Sequence, residues 1–117
     1  MSRKLEIRIG AAADALDRFE AAWNRVQEGR AMRPAEILSF QDLPLLLKTL
    51  SPARWVLLAN LRDKGPCSIY ELAKRLARDY KNVHTDVTQL AALGLIERGA
   101  EGRVAVPWDL LRVEFRL

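Results

Sequence analysis

Three features of the sequence predict a mainly α fold with a small amount of β, an α+β class. The first is the run at 68–107, SIYELAKRLARDYKNVHTDVTQLAALGLIERGAEGRVAVP, whose apolar residues follow a helical spacing twice and then alternate. The second is a pair of strictly alternating segments near the two ends, 4–9 and 110–117. The third is a stretch of strong helix formers at 11–28 with Leu16, Phe19, Trp23 and Val26 at spacings of three, four and three.

Taken in order, 4–9 places Leu5, Ile7 and Ile9 on one face and Lys4, Glu6 and Arg8 on the other, the pattern of a half-buried strand ended by Gly10. The helix expected over 11–28 stops at Gly29, and a loop follows at 30–34. Residues 37–40 form a short strand. Asp42 or Ser39 caps a helix over 43–50, with Pro44 in its first turn. Ser51 caps the next helix, which has Pro52 at its first position and Trp55, Leu58 and Leu61 facing inward. It runs to about residue 63 before Gly65-Pro66 breaks it.

Ser68 and Glu71 have capping-box spacing for a helix over 69–77, with Ile69, Leu72, Ala73 and Leu76 as its inward stripe. Arg78-Asp79 is the turn, and Asp79 can cap a helix over 80–93 that buries Val83, Val87 and Leu90. Tyr80, Lys81, His84, Thr85 and Thr88 lie away from that stripe. This face is rich in hydrogen-bond donors, whereas a helix face that is merely solvated tends to carry Glu/Lys pairs. Gly94 ends the helix, and 95–98 and 103–106 form a hairpin around Gly99-Ala100-Glu101-Gly102. Helix, turn, helix and hairpin in this order describe a helix-turn-helix with a wing, which places its second helix in the DNA major groove. Pro107-Trp108 turns the chain into 110–117, where Leu111, Val113, Phe115 and Leu117 alternate with Arg112, Glu114 and Arg116. The two terminal strands each need a partner and a core, so they are expected to pair with each other, within or between chains.

From 50 to 103 the sequence resembles the winged-helix core of MarR-like regulators. The resemblance rests on LSPARWVLLANL, GPCSIYELAKRL, the Asp79, Val83, Val87, Leu90 ladder, then GLIER and a wing arginine. The whole chain also resembles a small, little-characterised group of predicted prokaryotic transcriptional regulators, in which RDYKNVH and a C-terminal alternating strand recur together. The resemblance implies a dimeric repressor that pairs through helices outside the DNA-reading module. The seam Leu16, Phe19, Trp23, Val26 is then either that dimer interface or a helix packed on its own domain. On this reading 1–50 is a strand–helix extension for dimerisation, 51–107 the DNA-binding module and 108–117 a strand that packs on the first.

The composition agrees. Half of the 117 residues are hydrophobic, enough for one domain with a modest core. The net charge is +4, and between Arg62 and Lys81 six basic residues (Arg62, Lys64, Lys74, Arg75, Arg78, Lys81) face three acids (Asp63, Glu71, Asp79). Lys74, Arg75 and Arg78 are candidate phosphate contacts, and Arg98 and Arg103 flank the tip of the wing, where an arginine can enter a narrow minor groove. One cysteine, Cys67, precludes an internal disulfide and fits a reducing cytosol. It reads as a small buried residue, with a redox sensor as the rival reading. MSRKLEIRIG reads as no signal peptide, and no apolar run reaches the roughly 20 residues of a membrane span.

Catalysis and metal binding find little support. One His and one Cys, with no third group to orient them, make no nucleophilic pair, and zinc needs about four ligands. The turn at 99–102 lacks the helix and Lys-Ser/Thr of a phosphate loop. The expectation is a cytoplasmic regulator that binds double-stranded DNA as a homodimer, with no enzyme activity, cofactor, metal or membrane. The rival is the antitoxin of a toxin–antitoxin operon, its N-terminal part holding a toxin partner. A ligand sensor ranks third, since the chain shows no extra sensing domain.

Overall fold

The computed structural model describes residues 3–10, 36–115 and 117. The helix expected over 11–28, its seam of Leu16, Phe19, Trp23 and Val26, and the loop at 30–34 lie outside the described residues. The chain has an α+β fold that divides into two compact units, one of 4–49 with 110–117, the other of 50–109 with Arg3.

In the first unit the alternating ends do pair. Strand β1 (Lys4–Ile9) lies between β2 (Ile37–Phe40) and β6 (Leu110–Phe115), and both pairings are parallel. The register sets Leu5 against Leu111, Ile7 against Val113 and Ile9 against Phe115, with Glu6 against Arg112 and Arg8 against Glu114 on the other face. Opposed residues share a face, so the two apolar rows run side by side and the charges alternate in sign across the strands. Arg8 donates to Glu6 at 2.8 Å and also to Glu114. Leu5, Ile7 and Ile9 are buried, but Val113 and Phe115 are 46% and 47% exposed, which departs from the expectation that their face is covered. Among the described residues β1 is the central strand of this sheet, whereas β6 lies at its edge. Helix α1 (Leu43–Thr49) follows β2, and Asp42 is its cap, accepting from Leu45 N–H at 2.9 Å.

The second unit begins with helix α2 (Pro52–Lys64). Ser51 occupies its cap position without a side-chain cap bond, because its backbone carbonyl alone receives the N–H groups of Arg54 and Trp55. Leu57 joins Leu58 and Leu61 as the buried row, while Trp55 is only half-buried. Strand β3 (Cys67–Ser68), helices α3 (Ile69–Leu76) and α4 (Tyr80–Ala92), and strands β4 (Glu97–Arg98) and β5 (Arg103–Ala105) complete it. The sheet order is β3-β5-β4, antiparallel throughout, with Cys67 against Val104 and Arg98 against Val104. The sequence showed the β4–β5 hairpin but not β3, whose two residues are too few for any periodicity. The core gathers Leu57, Leu61, Leu72, Val83, Val87, Leu90, Leu95 and Val104, all less than 3% exposed. Trp108 closes one side: its indole N–H donates to the Gly94 carbonyl at 2.9 Å, and the Arg3 guanidinium lies 4.6 Å over the ring.

Candidate functional site

The turn between α3 and α4 is built by caps. The Ser68 hydroxyl accepts from Glu71 N–H at 3.1 Å, which starts α3. The helix ends in paired bonds from Ala77 N–H to Lys74 carbonyl and Arg78 N–H to Ala73 carbonyl, 3.1 and 3.0 Å long. This is a Schellman stop, and it holds Ala77 at φ 52°, a left-handed position where glycine is the usual residue. The turn therefore starts one residue earlier than Arg78-Asp79, and Leu76 ends up half-buried. Asp79 accepts from Asn82 N–H at 3.2 Å and starts α4. The same kind of stop ends α4, with Gly94 at φ 82° and Leu95 N–H bonded to the Leu90 carbonyl at 3.0 Å.

With Val83, Val87 and Leu90 fully buried, the register of α4 is set and its other side faces outward. Tyr80, Lys81, His84, Thr85 and Thr88 are all exposed there. The Tyr80 and His84 rings lie 5.9 Å apart at a 41° tilt, so the two side chains stand together. The Thr85 hydroxyl donates to the Lys81 carbonyl at 3.1 Å, and Thr88 accepts from Arg98 Nη2 at 3.1 Å. That last bond ties β4 to the outward face of α4.

The basic residues divide by what already holds them. Lys74 is exposed, its ammonium 4.7 Å over the Tyr70 ring, and its charge still faces water. Arg75 donates to the Gly65 carbonyl at 3.1 Å and Arg103 to the Pro66 carbonyl at 2.8 Å, so each guanidinium is steadied by a neutral acceptor. Arg78 differs. Its Nη2 donates to Asp86 at 2.8 Å, and Asp86 also accepts from Arg54 Nε at 3.1 Å. Arg54 further donates to Gln89. Asp86 and Arg54 are each only 14% exposed, so this ion pair is nearly enclosed. Arg78 is thus spent on holding the turn to α4, and it does not stand free as Lys74 does.

Sequence reasoning missed Arg54 and Asp86. Their only trace was a carboxylate between two buried valines, Val83 and Val87, with its partner 32 positions away. Cys67 is buried in β3, and burial pushes its thiol above the ordinary range against the opposing pull of Arg75 and Arg103. Among the described residues no His, Cys, Asp and Glu side chains are grouped so as to hold a metal, and no helix is long and apolar enough to cross a membrane.

The second unit is thus a small α+β module that presents one donor-rich helix face beside a basic hairpin. Residues 49–113 match the model of the HVO_A0114 family over more than half of the chain, and the chain belongs to that family. The match spans every residue of the face from Lys74 to Arg103 and begins well after the seam at 16–26. No curated protein matches the chain.

Proposed function

We propose that this chain is a sequence-specific regulator of transcription that binds double-stranded DNA, a dimeric repressor of the cytoplasm, and that 51–107 works as a winged helix-turn-helix. The observation that carries this reading is the outward face of α4. Tyr80, Lys81, His84, Thr85 and Thr88 are exposed together, carry donors, and hold a single fixed charge. A helix with such a face fits the major groove, about 12 Å wide, where base edges present acceptors and donors.

Lys81 and His84 then donate to base edges, and Thr85 and Thr88 read at shorter range. Tyr80 braces His84 through their ring contact. Lys74 and Arg75 bind phosphates, which set position and affinity. Arg98 and Arg103 serve the wing, with Arg98 registered against the reading helix by its bond to Thr88. Arg78 keeps a structural part in this scheme, since Asp86 holds it. The dimer places two such helices on a site of two-fold symmetry, with half-sites about 34 Å apart.

The test is binding to duplex DNA from the chain's own upstream region as salt is varied. With about 6–10 phosphate contacts, affinity falls about 10³–10⁵-fold between 50 and 200 mM salt. Absence of binding, or a complex indifferent to salt, refutes the reading.

A further inference from the structure

Strand β6 ends its sheet, and among the described residues no strand pairs with its outer side. An edge of this kind offers a row of free N–H and C=O groups to any strand that approaches. Long edges are usually blunted by Lys, Pro or a bulge. Over its six residues, LLRVEF, β6 has neither Lys nor Pro. Val113 and Phe115, which share one face, are 46% and 47% exposed. Arg112 faces Glu6 in the register, but Glu6 is taken by Arg8, and Arg112 has no ion-pair partner among the described residues. The strand therefore carries an open edge, an uncovered apolar row and an unspent guanidinium.

Its sequence is also complementary to itself when reversed. We propose that β6 is a self-pairing edge: two copies of this chain join β6 to β6, antiparallel, about a two-fold axis at Val113. That register sets Val113 opposite Val113, Leu111 opposite Phe115, and Arg112 opposite Glu114 twice over, once on each side of the axis. Shifting the axis to Arg112 or to Glu114 puts like charges directly opposite each other, which is destabilising. The axis at Val113 alone joins apolar to apolar and positive to negative. Glu114 already receives Arg8 of its own chain, and a carboxylate has room to accept a second donor. The two three-stranded sheets become one, and the edge is removed by closure on itself.

This inference rests on the dimer of the reading above and assigns it a surface. The test uses the full chain in sedimentation equilibrium at micromolar concentration, with R112E, E114R and their equimolar mixture. Each single variant brings like charges together at both sides of the axis, and its dimer dissociation constant rises about tenfold or more. The mixture restores both opposite pairs and gives a heterodimer. E114R also loses the Arg8 contact, so a second probe is V113C with oxidised glutathione. The axis sets the two introduced sulfurs within bonding reach, at a Cα separation of about 4.5–5.5 Å. A covalent dimer forms with V113C and not with R112C. Single variants that dimerise like the wild type, or V113C that fails to cross-link, overturn the proposal and leave a dimer built elsewhere. A wild-type dimer that R112E disrupts but that binds no duplex DNA refutes the regulator and not the interface. A monomeric wild type refutes both the interface and the dimer.

Discussion

Asp86→Ala is the sharpest probe of the module that carries the candidate face. Asp86 accepts Arg54 Nε at 3.1 Å and Arg78 Nη2 at 2.8 Å, and its side chain is 14% exposed. Removing the carboxylate leaves two guanidinium groups that face one another with no anion between them. Hydrogen bonds to charged groups are worth about 1.5–3 kcal/mol each, and breaking an enclosed pair from one side costs about 3–5 kcal/mol. Arg78 is 29% exposed and regains some water, and Arg54 keeps its bond to Gln89. These reliefs place the loss near the lower bound, about 3 kcal/mol. For a chain of this size that corresponds to roughly 10–15 °C in Tm.

Arg78→Met serves as the internal comparison. It removes one cation but leaves Asp86 paired with Arg54, and it also deletes Nη1, a buried donor with no hydrogen-bond partner among the described residues. Its cost should be well under half that of Asp86→Ala, about 1 kcal/mol. Thermal unfolding followed by far-ultraviolet circular dichroism measures both, and urea unfolding gives the free energies independently. A loss below about 0.5 kcal/mol for Asp86→Ala, the range of an ordinary surface change, would falsify the enclosed-pair argument. An equal loss from Arg78→Met would mean that the pair is worth no more than either of its members.

Three further outcomes are expected. Lys81→Ala relaxes sequence preference by about 1–3 kcal/mol at one base pair, whereas Lys74→Ala weakens all duplexes alike and lowers the salt slope by about one; titration of matched and scrambled duplexes checks this, and the reverse pattern would mean the two faces are exchanged. Ala77→Gly stabilises the fold by about 0.5–1 kcal/mol, because Ala77 sits at φ 52°, and a fall in Tm would show that the left-handed stop is not strained. Cys67 resists a thiol reagent at pH 8 until the chain unfolds. Burial raises its folded pKa, so the folded state holds the proton longer than the unfolded one. The associated stability is present below the ordinary thiol pKa of about 8.5 and is lost as pH rises past it. Rapid labelling of the native chain would contradict this.

What the sequence made legible was whatever has a local cause. Asp79, Ser68 and Gly94 act through their own neighbours along the chain, and each caps or stops a helix where the reading placed it. The alternation at both ends gave not only the strands but their face sharing, because period two leaves a covered strand no other choice. What stayed hidden depends on distance. Arg54 reaches Asp86 across 32 positions, and a carboxylate between Val83 and Val87 does not by itself name its partner. Strand β3 exists because Cys67 meets Val104, and its two residues have no pattern of their own. The exposure of Val113 and Phe115 was hidden too, because alternation marks which residues share a face and not how far that face is covered. Arg78 looked as free as Lys74 because charge counts alone do not reveal which cations already have a partner.

The donor-rich face also has a cost that explains why α4 is so heavily anchored. Within YKNVHTDVTQLAA the residues Val83, Thr85, Val87 and Thr88 are β-branched, and the Thr85 hydroxyl bonds back to the Lys81 carbonyl. Such residues are poor helix formers, together costing about 2–3 kcal/mol relative to alanine. Burial of Val83, Val87 and Leu90, each 0% exposed, returns about 1.5–3 kcal/mol per side chain. Packing therefore outweighs propensity by roughly two- to threefold. The Asp79 cap, the Gly94 stop and the Asp86 tie to α2 and the preceding turn add to the margin. Because α4 is held mainly on its inner side and at both ends, its outer side carries little of its stability beyond the Thr88–Arg98 bond. Tyr80, Lys81, His84, Thr85 and Thr88 can then differ in kind without unfolding the helix, which is what a surface that must match a particular sequence requires.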